Sequence, residues 1–214
     1  MKILILGAVG QIAHMLKNEL LNKTGHSTVL YARNGHKRLT IIDKSREDIF
    51  TGDFQDKDKL IDAMKNVDLV YINDVGDEVS TKTIIDAMHD AGVRRVIAAS
   101  VLGIYDEVPG AFGEWNKRMI GGSPRMRSQI TSARMLENSK LDYTLLRLTW
   151  LYNQAGNTKY LITQKGEPFK GTQVTRQAVT QLIMDIIEEK SDKYLYVSLG
   201  VSEPDTDWEK PSFY

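Results

Sequence analysis

The run Ile3-Leu4-Ile5-Leu6-Gly7-Ala8-Val9-Gly10-Gln11-Ile12-Ala13 decides the fold. Its four consecutive aliphatic residues do not alternate with polar ones, which is the pattern of a strand buried on both faces by crossover helices. Behind the glycines, Ile12, Met15, Leu16 and Leu20 fall on one side of a helix expected over 11–21. A G-x-x-G-x-x-A turn between strand and helix has a physical use. Gly7 permits a tight turn, Gly10 lets the backbone approach a pyrophosphate, and Ala13 allows close helix packing, so that the amides of Ala8, Val9, Gln11 and Ile12 can face phosphate oxygens. The same glycines also suit a bare strand-to-helix turn, and the rest of the chain has to decide between the two.

Outward from this element, short aliphatic and β-branched runs alternate with amphipathic stretches. Strands are expected at 2–6, 28–32, 48–51, 69–73, 95–100, 143–146 and 194–198, seven in all, with helices at 11–21, 57–65, 78–91, 124–138 and 176–188. Regular alternation with short links predicts an α/β fold, a doubly wound and mostly parallel sheet with helices on both faces. No repeat or low-complexity linker divides residues 1–214, so one dinucleotide-binding domain is expected, with substrate-side segments at 101–135 and 148–175 and a tail at 201–214. The stretch 105–123, carrying Gly110, Gly113, Gly121 and Gly122, reads as a long irregular loop. The aromatics Trp208, Phe213 and Tyr214 read as a strap that fastens the tail to the domain.

Composition narrows the function. Among 214 residues, 28 Lys and Arg balance 28 Asp and Glu, so no overall basic field draws nucleic acid or anionic lipid. The absence of cysteine removes thiolate chemistry and leaves nothing that requires an oxidising compartment, from which a cytoplasmic location is expected. No window approaches the about 18 apolar residues of a spanning helix, and the initial apolar run is too short for a signal peptide. The four histidines are scattered without metal-ligand spacing, so no metal site is expected.

The second strand ends at Ala32-Arg33-Asn34, roughly 20 to 26 residues past the first glycine, where a dinucleotide's ribose is read. A carboxylate there holds a free 2′-hydroxyl. Arg33 stands there instead, followed by His36, Lys37 and Arg38, and a guanidinium suits a 2′-phosphate, so NADP is expected rather than NAD. The bland reading is a solvated basic loop. Asp53 and Phe54 close the third strand, where the carboxylate can accept from the adenine amino group or serve the helix that follows.

The ordered set Gly7 to Ala13, Ala32-Arg33-Asn34, Gly52-Asp53, Arg94 to Ser100 and Leu141 to Arg147 resembles the atypical short-chain dehydrogenase/reductases. The likeness is to their small NAD(P)H-binding group, which includes NmrA-like proteins and the flavin and biliverdin reductases, and it covers nearly the whole chain. It implies a cofactor lying across the carboxyl ends of the strands and a substrate pocket formed after the fifth and sixth strands. It also implies that Trp150 flanks the nicotinamide. The Tyr-x-x-x-Lys pair typical of this superfamily is absent; the segment Ser123 to Gln129, where it would lie, holds no tyrosine.

With that acid missing, Ser100 at the end of the fifth strand and Tyr105 just beyond become the candidate catalytic donors to a substrate carbonyl, though each has a plain packing or backbone role open to it. Acceptors that manage the proton within their own ring system, such as flavins and quinones, are the expected substrates. The basic run Lys117, Arg118, Arg125, Arg127 and Arg134 would suit an anionic acceptor or simply a solvated face. The competing expectation is a non-catalytic NADP(H) sensor of the NmrA type that reports to a protein partner.

Overall fold

The computed structural model describes residues 1–214. Its main sheet is built from β1 (Lys2–Leu6), β2 (Ser27–Ala32), β3 (Glu47–Thr51), β4 (Leu69–Ile72), β5 (Arg95–Val101), β6 (Asp142–Leu148), β8 (Leu161–Thr163) and β10 (Val197–Ser202). The order is β3-β2-β1-β4-β5-β6-β10-β8, and only the β10–β8 pairing is antiparallel. A separate parallel pair joins β7 (Trp150–Tyr152) to β9 (Gln173–Thr175). The strand order reverses between β1 and β4, and there the chain leaves a crevice at the carboxyl edge, the site where open α/β sheets hold ligands.

Side chains of β1 alternate between two cores. Ile3 and Ile5 face α1 (Gln11–Lys23) and α7 (Arg176–Glu188), whereas Leu4 and Leu6 face α3 (Lys57–Ala63), α4 (Glu78–Ala91) and α6 (Pro124–Asn138). Both faces are therefore dry, which is why the strand sequence is continuously apolar. Four of the helices start where the sequence supplies caps. Asp56 accepts from the Lys59 amide, Asp77 from Ser80, Ser123 from Met126 and Thr175 from Ala178. The first helix departs from this rule: Gly10 is its cap residue, no side chain caps it, and its first turn carries no acidic residue.

The sheet has eight strands rather than seven, because Leu161–Thr163 adds a short edge strand whose three residues carry little pattern. The last expected strand begins later, at Val197, since Asp192–Tyr194 forms a 3-10 turn and Tyr196 takes a left-handed conformation (φ 57°). Much of the stretch expected to be irregular is helix α5 (Gly110–Ile120). Its glycines misled the sequence reading. A Cβ on Gly113 would stand 2.0 Å from the Val108 carbonyl, so close backbone approach, and not chain flexibility, requires glycine there. Phe112 and Trp115 stack at 6.0 Å and anchor that helix.

Candidate functional site

At the sheet reversal the glycine turn and the end of β4 meet. Gly7 is left-handed (φ +81°), and its amide and that of Ala8 donate to the Tyr31 carbonyl at 3.1 and 3.2 Å. Gly10 donates to Gly7, and the first helical bond runs from His14 to Gly10. The amides of Val9, Gln11, Ile12 and Ala13 are thus left without a partner in the chain. Ala8, expected among the phosphate-facing amides, shapes the turn instead. A Cβ on Gly10 would lie 2.3 Å from Asn73 Nδ2, so only glycine keeps the crevice open beside Asn73. Free amides, an uncapped helix start and a cradle that a Cβ would fill together fit a dinucleotide pyrophosphate.

Two adjoining cavities extend from this point, and Asn73 and Asp74 line both. The first, of about 310 Å³, is walled by Gly7, Val9, Arg33, Arg38, Asp53 and Phe54. Asn34 does not line it; its left-handed backbone (φ 55°) opens the short helix α2 (Gly35–Arg38), which returns Arg38 beside Arg33. Asp53 accepts from the Gln55 amide at 3.0 Å while Asp56 caps α3, so the Asp53 carboxylate has capacity left for a ligand. Phe54 stacks on Tyr31 at 5.9 Å, and the Tyr31 hydroxyl donates to the Asp53 carbonyl, which fixes this wall. Burial raises the Tyr31 pKa and keeps the phenol protonated.

The second cavity, of about 530 Å³, lies between the segments that follow β5 and β6 and is half hydrophobic. Ser100 and Trp150 line it, together with Asp74, Arg125, Gln129, Thr149 and Arg176. Its three hydroxyl groups all donate into the protein: Ser100 to Gln129 Oε1 (2.9 Å), Thr149 to the Thr172 carbonyl (2.8 Å) and Ser123 to the Ile120 carbonyl (2.8 Å). Gln129 is buried, and its other amide atom, Nε2, donates to Asp74 Oδ1 at 2.8 Å, which sets the orientation of the amide. Ser100 therefore presents lone pairs to the cavity and not its proton. The Trp150 indole N–H is likewise occupied, by Asn116 Oδ1 at 3.0 Å.

Tyr105 is not brought to this cavity. Its hydroxyl donates to Glu137 Oε1 at 2.6 Å, with Ser198 Oγ 3.1 Å away and Lys165 Nζ over the ring at 4.4 Å. Burial first, and then Glu137, raise its pKa. The loop that carries it is pinned by Glu107, which accepts from the Gly103 and Tyr105 amides and pairs with the fully buried Arg147 at 2.7 Å. The tail strap forms: Tyr214 meets Trp115 and Trp150 edge-on at 5.2 and 5.0 Å, and Phe213 lies 5.7 Å from Tyr152. Trp208 is exposed and does not take part in these aromatic pairs. Arg38, named in the sequence beside Arg33, lines the ribose cavity, whereas Asn73, Asp74, Gln129 and Arg176 line the site without having been expected there; an Asn-Asp pair at the end of the strand beside β1 was the signal available for two of them.

This geometry is that of a dinucleotide-binding reductase fold, and comparison with known proteins agrees. Residues 7–190 match the family described as NAD(P)H-binding. A short-chain dehydrogenase/reductase from Veillonella parvula DSM 2008, solved in an ethylated form, is 35% identical with a TM-score of 0.94, over 100% of this chain and 99% of that one. A second structure of a Veillonella short-chain dehydrogenase/reductase, in complex with NADP, is also 35% identical with a TM-score of 0.94 and 99% coverage of both chains. A Rossmann-fold NAD(P)-binding family protein from Shigella flexneri is 32% identical, with a TM-score of 0.81 and coverage of 100% and 98%. Comparison with curated protein sequences returns no match. The chain belongs to the NAD(P)H-binding family and is an atypical short-chain dehydrogenase/reductase. No helix is long and apolar enough to cross a membrane.

Proposed function

We propose that this protein is an NADP(H)-dependent reductase that delivers hydride to a planar acceptor, such as a flavin or a quinone, without a proton-donating side chain. The observation that carries the reading is the second cavity: it opens directly onto the cofactor crevice, and every hydroxyl on its wall donates inward. The reduced nicotinamide supplies the hydride. The chain's own groups bind, orient and shield. The amides of Val9, Gln11, Ile12 and Ala13 receive the pyrophosphate. Arg33 and Arg38, neither engaged in an ion pair, suit a 2′-phosphate, and the Veillonella relative's complex with NADP supports that preference.

Within the acceptor cavity, Ser100 Oγ accepts from an N–H group and so orients a carboxamide or a ring nitrogen. Leu148, Leu151 and Trp150 exclude water from the acceptor's faces. An alcohol substrate needs a base for its proton as hydride leaves; no tyrosine, lysine or histidine lines the cavity, and its one carboxylate, Asp74, is held by Arg125 and Gln129. A ring system that holds the added charge itself escapes that requirement. The alternative of a redox sensor requires no room beyond the cofactor, and the second cavity favours the enzyme.

The test is direct. Thermal shifts with NADP, NADPH, NAD and NADH rank the cofactors, and NADPH oxidation is then followed with flavin and quinone acceptors. Stabilisation by NADP(H) above NAD(H), with turnover of at least one acceptor, supports the reading. Stabilisation by NADPH with no turnover of any acceptor would move the assignment to the sensor.

A further inference from the structure

The acceptor cavity holds one cation that the fold leaves unneutralised. Arg176, in the first turn of α7, is half-buried, and its one polar contact to a side chain is Nη1 donating to Asn153 Oδ1 at 3.2 Å. Asn153 Nδ2 in turn donates to Gln11 Oε1 at 3.1 Å, so a chain of amides running from the glycine turn steadies the guanidinium at the cavity wall. The other cation on that wall, Arg125, is already matched. Arg125 pairs with Asp74 at 2.7 Å, Lys117 with Asp106 at 2.6 Å, and Arg127 donates to the Gly122 carbonyl. Of the basic run that suggested an anion clamp, only Arg125 lines this cavity, and it is paired, so the unmatched charge on the wall is Arg176.

A partly desolvated guanidinium with five N–H groups and one neutral partner is costly to maintain without a function. Burial alone lowers its pKa, and no carboxylate offsets that effect. The hydroxyls around it offer no competing donors, because all three donate inward. An anion entering this half-hydrophobic cavity would therefore find Arg176 as its charge partner. Resting on the reading of this cavity as the acceptor site, we infer that Arg176 anchors a carboxylate carried by the acceptor, so that the preferred substrates are flat apolar ring systems bearing a carboxylate. The fork of a guanidinium matches the two oxygens of a carboxylate, which fixes the ring's register against the nicotinamide end of the crevice.

Binding, read without turnover, tests this. Anthraquinone-2-carboxylate and its methyl ester are titrated against the protein saturated with NADP, and quenching of tryptophan fluorescence is followed, Trp150 being part of the wall. The wild-type protein should bind the carboxylate about tenfold or more tightly than the ester, the scale of a charge-assisted hydrogen bond. Arg176→Met should erase the preference with ester and NADP affinities essentially unchanged, and Arg176→Lys, which keeps the charge without the fork, should retain part of it. A preference that survives in Arg176→Met overturns the assignment. So does a parallel loss of NADP affinity, which would give the guanidinium to the cofactor's pyrophosphate. Equal binding of both probes by the wild type overturns the Arg176 anchor alone, whereas binding of neither overturns the acceptor-site reading as well.

Discussion

The amide of Gln129 turns the hydroxyl of Ser100 away from the acceptor cavity. Gln129 Oε1 accepts the serine proton at 2.9 Å because Gln129 Nε2 is held by Asp74 at 2.8 Å, and the amide cannot reverse without setting its oxygen against a carboxylate. A serine that sequence position alone offers as a donor to a carbonyl becomes an acceptor through one buried glutamine on α6.

Ser100→Ala should accordingly lower NADPH oxidation by about tenfold or less, the effect of one ordinary hydrogen bond. A loss of about 10² to 10⁴-fold would mark Ser100 as a general acid and contradict the arrangement. Gln129→Leu removes both contacts and strands the Ser100 hydroxyl, while Asp74 keeps Arg125 and the Gly76 amide. It should cost about 1 to 3 kcal/mol of stability, read as a lowered Tm or denaturation midpoint.

At the ribose end, Arg33→Ala should weaken NADP(H) by roughly 10- to 150-fold and leave NAD(H) unaffected, the loss of a charge-assisted contact of about 1.5 to 3 kcal/mol. Arg38→Ala should act in the same direction, since both guanidiniums border the same cavity. Equal losses for both cofactors, measured by calorimetric titration, would make these arginines structural.

Gly10→Val should abolish binding of both cofactors. Gly10→Ala is the sharper probe, because the added methyl meets Asn73 Nδ2 at 2.3 Å while the backbone itself is unstrained (φ −69°). Its defect should be partly recovered by Asn73→Ala, which removes the obstructing group. A double variant no better than Gly10→Ala alone would show that the crowding lies with the cofactor and not with Asn73.

Tyr105→Phe should leave acceptor reduction unchanged, since the hydroxyl points to Glu137 and not into the cavity. The lost hydrogen bond should cost about 0.5 to 1.5 kcal/mol. Tyr105 has its pKa raised in the fold, so this contribution is complete below the unfolded value of about 10 and fades only as pH rises beyond it. Denaturation of the two proteins at neutral and at strongly alkaline pH should therefore give curves that converge at the alkaline end. A turnover that collapses in Tyr105→Phe would restore the tyrosine to the chemistry.

The first strand, the glycine turn and the alternation of elements were legible because each rests on local pattern: unbroken aliphatics, spaced glycines and capping residues. The ribose-reading position of Arg33 followed from a fixed distance along the chain. Which of the basic residues after it joins Arg33 did not, because a left-handed residue at Asn34 sets the turn that brings Arg38, and not His36 or Lys37, to the cavity. Helix α5 was hidden by glycines whose role is close approach, as Gly113 against Val108 shows. Gln129 and Arg176 were unreadable for another reason. Their roles depend on what stands opposite, Ser100 and Asp74 in one case and an absence of carboxylates in the other, and single-residue propensities carry no such information. Tyr105 was misplaced because sequence proximity to β5 does not fix which side of the loop its side chain leaves; the buried Glu107–Arg147 pair does that.

The central claim is hydride transfer to an acceptor without a protein acid. It is tested most directly by supplying NADPH deuterated at C4 to the purified protein with a quinone or flavin acceptor, and in a parallel reaction running NADP with a simple secondary alcohol. The account predicts oxidation of NADPH with a primary isotope effect in the first case and negligible NADP reduction in the second. Efficient alcohol oxidation would contradict it, because that reaction requires a free proton-accepting side chain, and the one carboxylate on this cavity's wall, Asp74, is held by Arg125 and Gln129.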